Sequence, residues 1–149
     1  MKGRKKLKPL PAWMIWANPI LKRYARSRLR PASLGVALLM TILVAGFFFF
    51  LARETTARAI QNPIDVGRIP LIPLLILQGL ILFGLGTGQA AAGITTEADE
   101  GVIDYQRLAP MTPFAKVLGY LFGLPIREWI LFLATIPFTG YSIWKGQVP

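Results

Sequence analysis

The positive charge of this chain is concentrated at its N-terminal end. Residues 1–30 hold ten basic side chains and no acidic one, whereas the rest of the chain holds seven of each sign. The net charge of +10 therefore belongs to this end, and the next 22 residues, 31–52, carry no charge. Crossing roughly 30 Å of hydrocarbon takes roughly 20 apolar residues, and flanking Lys and Arg favour the cytoplasmic side. The sequence predicts an integral membrane protein with a cytoplasmic N-terminus.

The composition agrees with this prediction and excludes several kinds of site. Hydrophobic residues make up 54% of the 149 residues and charged residues 16%, which is too apolar for an ordinary soluble surface. The chain has no Cys and no His, which excludes disulfides, thiolate nucleophiles and most zinc sites. We expect neither a cofactor nor a bound metal. The basic segment is too long for a secretory signal, so an uncleaved anchor is expected.

Three charge-free stretches predict the membrane segments. They cover residues 31–52, 69–96 and 129–144. The predicted spans are about residues 32–52, 69–94 and 126–144, within a transmembrane domain of residues 31–149. If each span crosses the bilayer once, the segment 95–119 returns to the cytoplasm. The predicted fold is an all-α membrane protein: an interfacial elbow helix, three transmembrane helices and a cytoplasmic helical hairpin between the second and third.

An amphipathic helix is predicted before the first span, within an N-terminal region of residues 1–30. Asn18-Pro19 has the pattern of an N-cap and a first-turn proline, so a helix should run from about residue 19 to 30. Its apolar and basic side chains fall on opposite halves, except for Arg28, and such a helix lies along a membrane surface. The residues predicted to contact the membrane interface and its lipids are Trp13, Trp16, Lys22, Arg23, Arg26 and Arg30. For residues 1–8 a solvated basic arm is an equal alternative, and nucleic acid is not an expected partner.

Glycines in the second span predict close packing between helices. Gly84 and Gly88 have the small-xxx-small spacing that lets helix backbones approach each other in lipid. Together with Gly86 these glycines form a GxGxG pattern, but it lies inside an apolar run and not in a strand-turn-helix unit. We therefore expect helix packing here and no dinucleotide.

The segment after the second span predicts two short helices joined by a proline turn. Thr96 and Asp99 have a capping-box spacing, so a helix should begin near Glu97 and stop before Pro110. Thr112-Pro113 repeats the cap-and-proline pattern and should begin the second helix. Exposed side chains at residues 104–107 would suit docking to a soluble partner. An amphipathic connector that only covers the helix bundle is an equal alternative.

Taken together, these regions resemble the N-terminal half of a type 2 ABC exporter permease. The resemblance rests on residues 18–21 (NPIL) and 26–30 (RSRLR) before the first span, and on 92–104 (AGITTEADEGVID), 108–113 (LAPMTP) and 117–119 (VLG) after the second. In that family the asparagine-proline pair opens an elbow helix. The acidic stretch, glycine and threonine-proline turn belong to the coupling helix, which seats in a groove of the ATP-binding subunit.

The resemblance implies a multi-pass protein of the inner (cytoplasmic) membrane that works with a separate ATP-binding cassette subunit. The residues it implies for this coupling are Glu97, Asp99, Glu100, Asp104, Tyr105, Arg107, Thr112 and Pro113. Family members generally have six spans. This chain would then be a fragment, a half-permease that needs a second half or a further copy of itself, or a homologue that has lost transport.

Two other classes of function remain as alternatives. The chain lacks a GxxxxGK[ST] loop, so hydrolysis of ATP would belong to the partner, and we do not expect an enzyme. A small membrane scaffold that binds other spanning helices through the glycine face is the second hypothesis. A membrane-embedded enzyme is least favoured, because its acidic cluster at residues 97–104 has no histidine to complete a metal site.

Overall fold

The three apolar stretches of the sequence fold into helices that extend beyond the charge-free residues. The structure is a computed structural model and describes residues 17–59, 68–102 and 111–146. Within these ranges the chain forms five helices and no strand: α1 (Pro19–Arg28), α2 (Pro31–Ala59), α3 (Leu71–Asp99), α4 (Pro113–Gly123) and α5 (Ile126–Lys145). The prediction of an all-helical chain is confirmed for these residues.

Two of the helices are long and apolar enough to cross a membrane. They are the Pro31–Thr55 part of α2, which contains the predicted span at residues 32–52, and the whole of α3, which begins two residues into the predicted span at 69–94 and continues past its end. A third span is present only if α4 and α5 are counted together as one broken span, although α5 covers the predicted residues 126–144. The chain is thus a candidate multi-pass membrane protein. The cytoplasmic location of its N-terminus stays a prediction.

Helix α3 is not a uniform α-helix. Its Leu71–Gly79 and Thr87–Asp99 sections are α-helical, and Leu80–Gly86 between them is a π-helix. The wider π turn changes the angular relation between side chains on either side of it, so a face read at α-helical spacing does not continue through it. A Cβ added at Gly88 would meet nothing within 4 Å, and one at Gly84 would meet only Leu80 of the same helix. The predicted packing at these glycines has no neighbour in the part of the chain that the structure describes.

The helices belong to two compact units, which we describe separately. The first unit contains residues 1–29 and 87–126, and the second contains residues 30–86 and 127–149. The core of the first unit is formed by side chains from α1, α4 and the end of α3. Its members are Ile20, Tyr24 and Leu124, with Ala90, Met111 and Tyr120 packed around them.

Both N-cap predictions are confirmed, and the two caps meet at one residue. Asn18 Oδ1 accepts a hydrogen bond from the Ile20 amide (3.0 Å), and Thr112 Oγ1 accepts one from the Ala115 amide (3.2 Å). The same Asn18 side chain donates from Nδ2 to the Ala115 carbonyl at 2.6 Å. One carboxamide therefore starts α1 and also attaches it to the first turn of α4.

In the second unit, polar side chains of α3 and α5 are hydrogen-bonded to each other beside an apolar core. Its core contains Ala45, Phe49 and Leu74, with Leu77 and Phe138 packed around them. Gln78 Nε2 donates to the hydroxyls of Thr135 and Thr139, both at 2.9 Å. Because an unpaired amide in an apolar interior is costly, these bonds fix the face that α3 turns toward α5 in this unit.

The close approach of α1 and α4 depends on glycines in α4. A Cβ at Gly119 would lie 2.9 Å from both Asn18 Nδ2 and Ile20 Cβ, and one at Gly123 would lie 3.0 Å from the Tyr24 ring. Ile20 Cβ is next to the backbone and cannot swing away. A side chain at Gly119 must therefore push α1 from α4.

We expect Gly119→Ala to destabilise the chain even though alanine favours helices. Alanine normally gains about 1 kcal/mol over glycine inside a helix, whereas overpacking costs roughly 1–3 kcal/mol. The thermal midpoint of the protein purified in detergent should fall for Gly119→Ala. It should stay level or rise for the control Gly140→Ala in α5, where an added Cβ meets nothing within 4 Å. Equal midpoints for the two variants would contradict this account of the packing.

Candidate functional site

The acidic residues after the second span end a helix instead of beginning one. Helix α3 continues through Glu97 to Asp99, and Thr96 Oγ1 donates to the Ala92 carbonyl (2.9 Å), four residues back, as in a helix interior. Gly101, with φ of 68°, follows the end of the helix in the left-handed conformation that glycine favours. The prediction of a helix beginning near Glu97 is therefore wrong. The acidic side chains face the partially negative end of α3, so they need other partners.

Glu97 finds these partners inside the first unit. It is only 4% exposed, and its two carboxylate oxygens accept hydrogen bonds from the hydroxyls of Tyr24 on α1 and Tyr120 on α4. Arg23 Nη1 lies 3.3 Å from Glu97 Oε1, with its own side chain 55% exposed. We call Glu97, Tyr24, Tyr120 and Arg23 the Glu97 cluster. It joins α1, α3 and α4 at one buried carboxylate.

The cluster keeps the phenol of Tyr24 neutral. Burial raises the pKa of Tyr24 well above its ordinary value of 10.0, and the hydrogen bond to Glu97 and the negative charge of that carboxylate raise it further. The folded form therefore favours the protonated phenol. The stability that this bond contributes is complete below pH 10.0 and is lost as the pH rises toward the raised pKa.

The Glu97 cluster and the Asn18 bond attach both ends of the acidic segment to α1. On the α3 side, Tyr24 of α1 holds Glu97. On the α4 side, Asn18 of α1 holds the carbonyl of Ala115, directly after Thr112-Pro113. The chain between these two anchors, residues 98–114, thus starts and ends on helices fixed to the same third helix. We call residues 98–114 the anchored segment.

The other residues predicted for coupling lie in different settings. Asp99, Glu100 and Pro113 are exposed, whereas Thr112 is half-buried and caps α4. Asp104, Tyr105 and Arg107 lie outside the described residues. Glu97 differs from its sequence-based placement, since its buried carboxylate is turned into the protein and not toward a docking surface. Among the described residues the structure leaves Asp99 and Glu100 as the exposed acids of the segment.

Helix α1 is amphipathic as predicted, but protein covers its apolar face. Ile20, Leu21 and Tyr24 are buried, while the predicted interface residues Lys22, Arg23, Arg26 and Arg30 are exposed. Trp13 and Trp16 lie outside the described residues. The location of α1 along a membrane surface stays a prediction.

Arg28, which broke the sequence pattern, has a specific partner. It is half-buried and donates to the side-chain oxygen of Gln89 in α3. Gln89 lies two turns before Glu97 on the same helix, so α1 contacts this section of α3 along its length. The sequence contains no local signal for this pair.

A cleft of about 210 Å³ lies between α1 and the end of α3 within the first unit. From α1 it is lined by Arg23, Tyr24 and Arg28, and from α3 by Ala92, Gly93, Thr96, Glu97 and Glu100. Charges of both signs therefore line the cleft. Among the described residues no group of three acidic side chains is arranged to hold a metal ion.

Sequence reasoning missed the tyrosines that define this site. Helical spacing puts Tyr24 among the apolar side chains of α1, and no pattern in the sequence gives Tyr120 a role. A buried tyrosine needs a partner for its hydroxyl, but nothing in the sequence shows which acid provides it.

Comparison with family models, with curated proteins and with solved structures finds no match to the chain.

We expect Tyr24→Phe and Tyr120→Phe each to lower stability, because each removes a hydroxyl donor from the buried carboxylate of Glu97. A hydrogen bond to a charged group is worth about 2 kcal/mol. Thermal unfolding in detergent should show a loss for each variant and little change for Asp99→Asn, an exposed carboxylate two residues from Glu97.

A double-mutant cycle separates the cluster from unrelated packing effects. In the background of Glu97→Gln, Tyr24→Phe should cost clearly less than it does in the native chain, since the charged acceptor is already gone. Strictly additive losses would contradict the Glu97 cluster.

Proposed function

We propose that the chain is a membrane-spanning permease component of an ATP-driven exporter, and that the segment 97–113 couples it to a separate ATP-binding subunit. The observation that carries this proposal is the anchoring of that segment at both ends to α1, through Glu97 and through Ala115. A partner that pushes on the anchored segment would move α1, α4 and the end of α3 together. The resemblance of these same residues to a coupling helix gives the partner its class.

The mechanical argument rests on how the two ends are held. Each anchor includes a buried hydrogen bond, and Gly119 and Gly123 bring α1 and α4 into close contact between the anchors. Densely packed interiors transmit displacement because they have little free volume to absorb it. Residues 87–99 of α3 belong to this unit, so a displacement of the anchored segment reaches that section of the helix.

The surface offered to the partner is acidic at its start. Asp99 and Glu100 are exposed, and Asp104, Tyr105 and Arg107 follow them in the sequence. We propose that these side chains and Pro113 contact the ATP-binding subunit. Glu97 and Thr112 act as positioning residues, because their side chains bind within the first unit.

The spans suit an amphipathic cargo better than a charged one. Gln78, Thr135 and Thr139, described polar side chains of α3 and α5, satisfy one another. These three side chains are therefore not available to a charged cargo. With two or three spanning helices, the proposed exporter also needs a second half or a second copy.

The proposed orientation can be tested by cysteine labelling, because the sequence contains no cysteine. Asp99→Cys and Glu54→Cys each give a single thiol at an exposed position. In intact cells a membrane-impermeant maleimide should label Glu54→Cys and leave Asp99→Cys unlabelled until the cells are permeabilised. Labelling of Asp99→Cys in intact cells would overturn the cytoplasmic coupling segment.

Coupling is tested by replacing residues 103–110 with a Gly-Ser linker of equal length, which keeps both anchors. The affinity-tagged chain should lose a co-purifying protein that carries a GxxxxGK[ST] loop by on the order of tenfold, as when interface hot spots are removed. Membrane insertion should be unchanged. The charge reversal of Asp99 and Glu100 to Lys should weaken co-purification as well.

The matched control is Glu54→Lys, which reverses an exposed acid in α2. It should retain the ATP-binding protein at the native level. If the linker variant retained that protein as well, the coupling proposal would fail.

A second candidate is a membrane scaffold that binds helices of other proteins. Within the described ranges an added Cβ would meet nothing at Gly88 and only Leu80 of the same helix at Gly84, and this space favours the scaffold. Under this hypothesis Gly88→Leu would abolish capture of a spanning partner, and no ATP-binding protein would co-purify with the native chain.

A further inference from the structure

The cleft of the first unit lies where the first charged residues follow the second candidate span. Residues 69–96 carry no charge. Glu97, in the last turn of α3, and Glu100, just after the helix ends, both line the cleft. The opposite wall is α1, a helix with exposed basic side chains. Lipid headgroups meet a spanning helix at this transition.

The cleft has one available charge of each sign. Arg23 is engaged with Glu97, but Arg28 uses one N–H of its guanidinium for Gln89 and has further donors. The side chain of Glu100 is exposed, and its carboxylate has no hydrogen-bond or ion-pair partner among the described residues. A ligand that carries a negative and a positive group would satisfy both side chains. A simple anion would meet the two carboxylates as well as the two arginines.

We propose that this cleft binds the headgroup of a phospholipid with a primary amine, of the phosphatidylethanolamine type. The phosphodiester faces the guanidinium of Arg28, with Arg23 beside it, and the ammonium donates to the carboxylate of Glu100. Arg suits a phosphate because its planar fork presents several donors.

The size of the cleft agrees with a headgroup rather than a larger ligand. Pockets for drug-sized molecules hold roughly 300–1,000 Å³, and this cleft holds about 210 Å³. The acyl chains would remain in the bilayer beside α3. The inference goes beyond the export proposal and does not depend on an ATP-binding partner.

The test is native mass spectrometry of the full chain released from nanodiscs of equimolar phosphatidylethanolamine, phosphatidylcholine and phosphatidylglycerol. The native chain should retain phosphatidylethanolamine preferentially. Phosphatidylcholine has a quaternary amine that cannot donate a hydrogen bond to Glu100, and phosphatidylglycerol has no amine. Arg28→Gln and Glu100→Gln should each lower this retention by roughly tenfold, the scale of one lost hydrogen bond to a charged group.

Matched controls separate headgroup binding from changes in the fold. Gln89→Ala removes the internal partner of Arg28 but keeps its charge, and Asp99→Asn neutralises an exposed acid that does not line the cleft. Both should retain the lipid. Ala92→Phe, which fills the cleft, should lose it, while Ala91→Phe on the neighbouring exposed position should not.

Competition distinguishes a lipid from a free phosphate. Glycerophosphoethanolamine added to the nanodiscs should displace the lipid, and inorganic phosphate at the same concentration should not. Displacement by inorganic phosphate, equal retention of all three lipids, or unchanged retention in both Arg28→Gln and Glu100→Gln would overturn the proposal. Preference for phosphatidylglycerol would also overturn it, since that result indicates a basic surface without a role for Glu100.

Discussion

The buried carboxylate of Glu97 is the constraint on which the first unit depends. Removing a carboxylate from water costs free energy unless hydrogen-bond donors surround it. The donors come from Tyr24 on α1 and Tyr120 on α4, with Arg23 at the exposed edge. Satisfying one side chain of α3 therefore requires two other helices to be in place. The arrangement of three helices follows from a single electrostatic requirement.

The same requirement gives the anchored segment its character. With Asn18 bound at Ala115 and Tyr24 bound at Glu97, α1 holds the chain on both sides of a stretch rich in acidic residues. The export hypothesis needs a stable platform at this place, whereas the scaffold hypothesis places binding on the glycine face of α3. The proposed headgroup site is the cleft between two of the same helices, α1 and the end of α3.

Local chemistry and span length were predictable from the sequence, and long-range pairing was not. Charge-free length predicted α2 and α3, and the Asn-Pro and Thr-Pro pairs predicted the starts of α1 and α4, because a cap depends on residues two or three positions away. The helix start predicted from the capping box at Thr96 was wrong. Glu97 accepts hydrogen bonds from tyrosines 73 and 23 residues away in the sequence, and such distant contacts outweigh a local capping signal. The hydrophobic periodicity of the sequence predicts neither the π-helical section of α3 nor the hydrogen bond between Arg28 and Gln89.

The discontinuity of the first unit has a consequence for biosynthesis. Its helices come from residues before 30 and after 86, and the bond between Asn18 and Ala115 joins positions 97 residues apart. Translation proceeds from the N-terminus, so α1 emerges long before the helix it must pack against. Its apolar side chains Ile20, Leu21 and Tyr24 therefore stay without their final contacts until α4 has been made. Closure of this unit would therefore mark a late step in maturation of the newly made polypeptide.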